Sequence, residues 1–523
     1  MSPVSKSAAS VLAVIALAIT AAGIIRLPGR ADVEQVGTEF PVPLYNWTSR
    51  NNVTYFVDSQ SGNDSSNGKT PAAAWRTLNK VDTGIFGPGD HILLRSGSAW
   101  NGYLAPGGSG SNKAPIVIDR YGAGPKPKID AKGQYLATLY ISNSSYITIK
   151  NLDIANQCTV RQPKLTGVKI SEMNFGTSKS ITLDSLDVHD VDGSDVKADG
   201  GGAGISCSVY GATVPTRFDG LVIQGCHLQR TDRDGITMTG AWERENWYPS
   251  LHVIIQHNTL EDIGGDGIVP IACDGAVVQY NTLRGGRTRA KDYAAGIWPW
   301  SCDNTLVQFN EVSGMVGTND GEGYDADFNC RNTTIQYNFS HDNQGGFLLI
   351  CDDGSQSAAT NVGNIGTIAR YNISVDDGLH TFHIAGPCSK THVYNNTIYS
   401  GDSSADFLIS SDGWGGHQQG TTFENNIFAT THKMGFSIDG VQTLTFLNNE
   451  FYGNFDPRPS DPAALTTDPL FKNKGGKSAA DYTLQKTSPL RNAGKLVPNN
   501  GGRDFSGKPV PVGKQPSIGA FQE

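Results

Sequence analysis

The chain has 523 residues, 62 of them Gly, with 17% charged residues and a formal net charge of −9. That length exceeds one ordinary globular core, yet the composition shows no break midway, so a single elongated repeat domain is the simplest organisation. The acidic balance leaves no basic footprint for nucleic acid, and nucleic-acid binding is excluded as a main function.

At the N-terminus Lys6 precedes an uncharged, mostly apolar run from Ala8 to Ile25, which ends in Ala21, Ala22 and Gly23 and is followed by Arg26 and Arg30. Residues 1–30 read as an export signal or an uncleaved N-terminal anchor, and 31–50 as a linker. The mature chain is expected outside the cytoplasm: secreted, periplasmic or at the cell surface. Abundant Gly and scarce helical periodicity then predict short strands and tight turns, so the class is all-β.

Between roughly residues 250 and 450 one pattern returns, most plainly in Val277-Val278-Gln279-Tyr280-Asn281, Leu306-Val307-Gln308-Phe309-Asn310, Thr334-Ile335-Gln336-Tyr337-Asn338, Ile368-Ala369-Arg370-Tyr371-Asn372 and His392-Val393-Tyr394-Asn395-Asn396. A return every ~23 to 34 residues means a solenoid, because each unit is too short to bury its apolar face except by stacking on its neighbours. Stacking in register about 4.8 Å apart lets the Asn of one coil exchange amide hydrogen bonds with the next, so the recurring Asn is read as structural. Cys273, Cys302, Cys330, Cys351 and Cys388 follow strands at one apparent position. A column of buried thiols is favoured there over disulfides, and no ligand spacing suggests a metal.

Other segments carry a resemblance. Tyr55-Phe56-Val57-Asp58, Gly62-Asn63-Asp64, Trp75-Arg76-Thr77-Leu78 and Gly89-Asp90-His91-Ile92-Leu93-Leu94 resemble the N-terminal cap and first coil of pectate-lyase-like proteins. Asp468-Pro469-Leu470-Phe471, Asp481-Tyr482-Thr483-Leu484 and Ser517-Ile518-Gly519-Ala520-Phe521 resemble their closing segment. The resemblance implies a right-handed parallel β-helix with an N-terminal cap over 51–455 and a C-terminal closing segment over 456–523. It is specific for fold and weak for reaction, because that superfamily holds lyases, hydrolases, epimerases and adhesins.

Strands after a recurrent Gly align as Gly235-Ile236, Gly267-Ile268, Gly296-Ile297, Gly323-Tyr324, Gly346-Phe347 and Gly378-Leu379. The second residue is apolar throughout and should face the core, which turns the next residue outward. Asp325 and Asp327 then face out from one strand, Trp298 and Trp300 hold the same two places one coil earlier, and His380 matches Asp325 two coils later. Outward residues at i and i+2 lie about 6.5 to 7 Å apart at Cα. Paired carboxylates at such separations cleave glycosidic bonds, one protonating the leaving oxygen and the other attacking or activating water, while Trp faces suit sugar rings.

Asp320 and Glu322 crowd the same stretch, so mutual repulsion should leave one of the four carboxylates protonated. Glu322 could equally cap the turn, since Asp234, Asp266 and Asp377 also precede a recurrent Gly. The run resembles the acidic segments of β-helix glycoside hydrolases of the lacto-N-biosidase type, in which two aspartates a few residues apart do the cleavage, and Asp320 with Asp327 would satisfy that pairing too. Trp242 and its loop through Tyr248, and the loop carrying Arg287, Arg289, Lys291, Asp292 and Tyr293, are candidates for binding walls or for solvated loops.

The reading is therefore a monomeric hydrolase of poly- or oligosaccharides, with no cofactor. A polysaccharide lyase or uronate epimerase, in which the acidic cluster would hold Ca²⁺ and Lys291 or Arg289 would act as base, is the alternative. A non-catalytic glycan-binding surface protein is another.

Overall fold

The computed structural model describes residues 40–41, 44–355, 360–401, 404–438 and 443–522. The expected export or anchor segment 1–30, and most of the linker, lie outside the described residues. Among the described residues no helix is long and apolar enough to cross a membrane.

Parallel strands stack coil upon coil into three long sheets, the architecture of a right-handed parallel β-helix. The first sheet runs from Thr54–Val57 to Leu444–Leu447. The second includes Thr282–Arg284, Glu311–Ser313 and Phe339–His341, and the third includes Ala203–Tyr210, Glu322–Ala326, Gly346–Cys351, Leu379–Ala385 and Ala405–Asp412. Apolar side chains such as Ile268, Ile297, Tyr324, Val307 and Val312 fill one continuous core.

The recurring Asn does what stacking requires. Asn281, Asn310, Asn338, Asn372 and Asn396 form a buried ladder in which each side-chain amide donates to the next coil's Asn at 2.9–3.0 Å. Each Asn also donates to a main-chain carbonyl of an earlier strand, as Asn338 does to Val307 at 2.9 Å. The residue before each Asn, an aromatic in every case but Asn395, has positive φ, 55° at Tyr280 and Phe309 and 58° at Tyr337, and so turns the chain between the first two sheets. Their rings stack outside the bend, 4.9 Å apart from Tyr280 to Phe309 and from Phe309 to Tyr337. Residues of the C-terminal segment lie along these bends: Arg503 O accepts from the Tyr337 hydroxyl, and the Asn395 amide donates to Ser517 O and Gly519 O.

All eight cysteines are free thiols. Cys273, Cys302 and Cys330 stack in one buried column, the amide of each of the first two donating to the next sulfur at 3.3 and 3.5 Å. Cys388 belongs to the same column but Cys351 does not. The residues following the column pair as Asp274, Asp303, Arg331, Ile365 and Ser389, so Asn364 holds the place expected of Cys351. Cys351 instead ends the third-sheet strand Gly346–Cys351, in register with Ala385.

Candidate active site

The third sheet carries the acidic run, and its register decides which side chains meet. Ile268, Ile297 and Tyr324 are in line and buried, as the Gly alignment predicts. Beyond them the alignment slips: Tyr324 pairs with Leu348 and then Phe382, not with Phe347 and Leu379. The expected match of His380 to Asp325 is therefore corrected. His380 lies in line with Gly346 and Glu322, whereas His383, through Leu349, is in line with Asp325. A Gly at the strand start is not one fixed position, because the corners before Gly346 and Gly378 differ from the earlier ones.

Within the run, Glu322 is fully buried and Asp325 is 3% exposed. Asp320 and Asp327 are half-buried and reach the surface on either side of them. Burial, and then the neighbouring Glu322 charge, pushes the Asp320 carboxyl far up, to about 8. Burial also raises Asp327, to about 6, against the pull of the Cys351 thiol and the Phe328 amide. Both donate to Asp327 Oδ1, at 3.1 and 2.6 Å. Asp325, deepest and beside Asp327 and Asp320, is driven well above the carboxylate range and stays protonated.

Glu322 behaves oppositely. Burial alone would raise it, but the His380 and His383 rings overcome burial and hold it down, to about 2. His380 Nε2 is 3.3 Å from Glu322 Oε1, His383 Nδ1 is 3.7 Å from the same oxygen, and His383 Nε2 is 2.8 Å from Asp412 Oδ2. Burial works against a charge on His383, yet the two carboxylates raise it to about 9. Glu322, His380 and His383 offer ligand atoms within 4.8 Å of one another, as do Asp325, Asp327 and Cys351. In the first group two imidazoles face one carboxylate, and in the second the Cys351 thiol donates to Asp327.

One coil earlier, Trp298 and Trp300, read from sequence as an aromatic shelf, are both half-buried and each has a partner. Trp298 Nε1 donates to Asp266 at 2.9 Å, and the Lys197 ammonium lies 5.4 Å over its ring. Trp300 packs on Trp242 with centroids 5.0 Å apart, so the loop from Trp242 does reach the site. Arg244 anchors that loop to Asn329 and Asp303, both at 2.8 Å.

The second loop is spent differently. Arg289 pairs with Asp262 at 2.7 Å and Asp232 at 3.0 Å, and Arg287 bonds the Asp292, Val316 and Lys291 carbonyls. Lys291 is exposed. Neither guanidinium is left for a ligand, because both hold the corner shut. The role of base expected of Arg289 in a lyase fails for the same reason.

The sequence reading missed Lys197, Arg233, His383 and Asp412, and it took Asp266 for a turn cap. Asp266 accepts from the Ala295 amide at 3.0 Å, which is a capping role, but it also binds buried Arg233 at 3.0 Å and faces Lys197 at 3.5 Å. Burial would raise Asp266, yet Lys197 and Arg233 keep it ionised. His383 lies three positions after His380 in the sequence, and the pair was the available signal.

No family model matches the chain. It is 29% identical, over 89% of its length, to a lacto-N-biosidase of Bifidobacterium longum subsp. longum, and spans about a third (35%) of that longer protein. The crystal structure of a GH136 lacto-N-biosidase from Eubacterium ramulus superposes with a TM-score of 0.60 and 26% identity, covering 74% of this chain and 68% of that one. A complex of XylC with xylose shares the fold at 12% identity and a TM-score of 0.52, covering 90% of this chain and 98% of that one. The chain is thus a parallel β-helix, similar in sequence and fold to GH136 lacto-N-biosidases.

Proposed function

We propose that the protein is an extracytoplasmic glycoside hydrolase acting on an oligosaccharide, with Asp320 as the acid and Asp327 as the carboxylate. The observation that carries this reading is the division of labour within one acidic run. Asp320 and Asp327 reach the surface, while Glu322 and Asp325 between them are buried, one ionised and one protonated.

Glycoside cleavage needs one carboxylic acid that still holds its proton and one carboxylate that has lost it. Asp320, raised by burial and by Glu322, supplies the first. Asp327 supplies the second, with a thiol and an amide donating to one of its oxygens. Asp325, at i−2 from Asp327, satisfies the spacing expected from sequence, but its burial keeps it from a substrate. The Trp242 and Trp300 pair gives a sugar ring an apolar face one coil away.

The likeness to lacto-N-biosidases supports hydrolysis over elimination, and the apolar run Ala8 to Ile25 supports export. A panel of oligosaccharides, with products read by mass, tests the proposal. Products that have gained water are expected, and products that carry a new double bond without added water would overturn it.

A further inference from the structure

We infer that His383, clamped by Asp412, is a positioning residue for this reaction: it fixes the charge on Glu322 and thereby keeps the proton on Asp320. The inference rests on the hydrolase reading above.

The geometry comes first. Glu322 Oε1 faces both His380 Nε2 and His383 Nδ1, although the strand Gly346–Cys351 lies between them. Gly346, in line with Glu322 and His380, leaves the slot through which they meet. The other oxygen of Glu322, Oε2, is buried with no hydrogen-bond partner among the described residues. A fully buried carboxylate with one bare oxygen is costly unless a cation is near.

Around His383, Glu322 lies on the strand Glu322–Ala326, and Asp412 ends the strand Ala405–Asp412. His380 comes from its own strand with ring centroids 4.3 Å apart, and the edge of Trp414 closes the remaining side at 5.4 Å. Leu349, in register on the strand between, carries no charge. Two carboxylates thus bracket one imidazole.

Both ring nitrogens of His383 face carboxylates, so the ring is held as imidazolium. A neutral ring would have to turn a lone pair toward one of them. Held ionised by that cation, Glu322 presents its charge to Asp320, and a neighbouring negative charge disfavours a second one, so the proton stays on Asp320. Asp412 acts at one remove, and neither it nor His383 needs to touch substrate.

The test compares the intact protein with Asp412→Asn and His383→Gln. In Asp412→Asn the imidazolium loses one anion and should surrender its proton about one pH unit lower, in keeping with a single hydrogen-bonded carboxylate. The basic limb of kcat against pH should move down by the same amount, while kcat at low pH and KM stay within about twofold. His383→Gln should lower kcat roughly tenfold with KM little changed. Identical pH profiles in the wild type and both variants, with melting temperatures preserved, would overturn the inference.

Ring-nitrogen NMR of His383 supplies a readout that does not need turnover. The ring should remain charged in the wild type through neutral pH and titrate about one unit lower in Asp412→Asn. A ring already neutral at pH 7 in the wild type would overturn the inference even if hydrolysis is confirmed. A charged ring in a protein that hydrolyses no glycan would sink the hydrolase reading instead.

Discussion

The Glu322 carboxylate and the His380 ring are 3.3 Å apart, although a whole strand separates theirs in the sheet. Gly346 makes the contact practicable. Its φ is +143°, and a Cβ built there would lie 2.0 Å from His380 O and 3.5 Å from Glu322 Cγ. Gly346→Ala should therefore cost about 2 kcal/mol or more, from the strained φ and the overlap with main chain. Denaturant unfolding measures it. A loss under about 0.5 kcal/mol would show that the strand shifts freely and that the slot is not specified.

The acid and base assignments make a pH window. Asp320 must keep its proton, so activity should fall as pH rises through about 8. Asp327 must be ionised, so activity should fall as pH drops through about 6. The profile of kcat/KM should be a bell between those limits, since each limb reports one group of the free enzyme. Asp327→Asn and Asp320→Asn should each lower kcat by roughly 10² to 10⁴, with Asp320→Asn abolishing the basic limb. Retention of that limb in Asp320→Asn would assign the acid elsewhere.

What the sequence revealed, and what it hid, follows one physical line. The Asn ladder through Asn281, Asn310 and Asn338 was legible because each Asn sits beside a main-chain bend that every coil must make. The alignment of core-facing Ile297 and Tyr324 followed from period-two alternation, but the open outward place expected of Asp325 did not, because the structure buries it. Past that coil, corners of unequal length broke the count, which moved His380 off Asp325, and Cys351 lies in the third sheet rather than in the thiol column. Lys197 and Asp412 come from distant coils, and no local pattern could bring them to Trp298 and His383.

Binding on the aromatic shelf has its own signature. Trp300 has a ring on Trp242 and, among the described residues, no polar tether like the one from Trp298 to Asp266. Trp300→Ala should raise KM about tenfold with kcat changed less than threefold, because a stacking platform holds substrate and transition state alike. Steady-state kinetics on the cleaved oligosaccharide distinguishes this from a fall in kcat alone, which would place Trp300 against the reacting ring instead.

The ladder makes a stability prediction independent of any chemistry. The Asn338 side chain takes part in four hydrogen bonds: its oxygen accepts from the Asn310 main-chain amide at 2.9 Å and side chain at 3.0 Å, and its amide donates to Val307 O at 2.9 Å and Asn372 Oδ1 at 3.0 Å. Asn338→Ala strands a main-chain donor and a main-chain acceptor in the interior, where water cannot replace the lost partner. At about 1–3 kcal/mol for each group left unpaired, the loss should be roughly 2–5 kcal/mol. Gln308→Ala is the control, because Gln308 runs in a parallel amide row, bonded to Gln279 and Gln336 at 2.8 Å, but is only half-buried. Solvent can take its place, and its loss should stay below about 1 kcal/mol. Equal midpoints for the two variants in a denaturant titration would mean that burial, which separates the two rows, is not what gives the Asn ladder its strength.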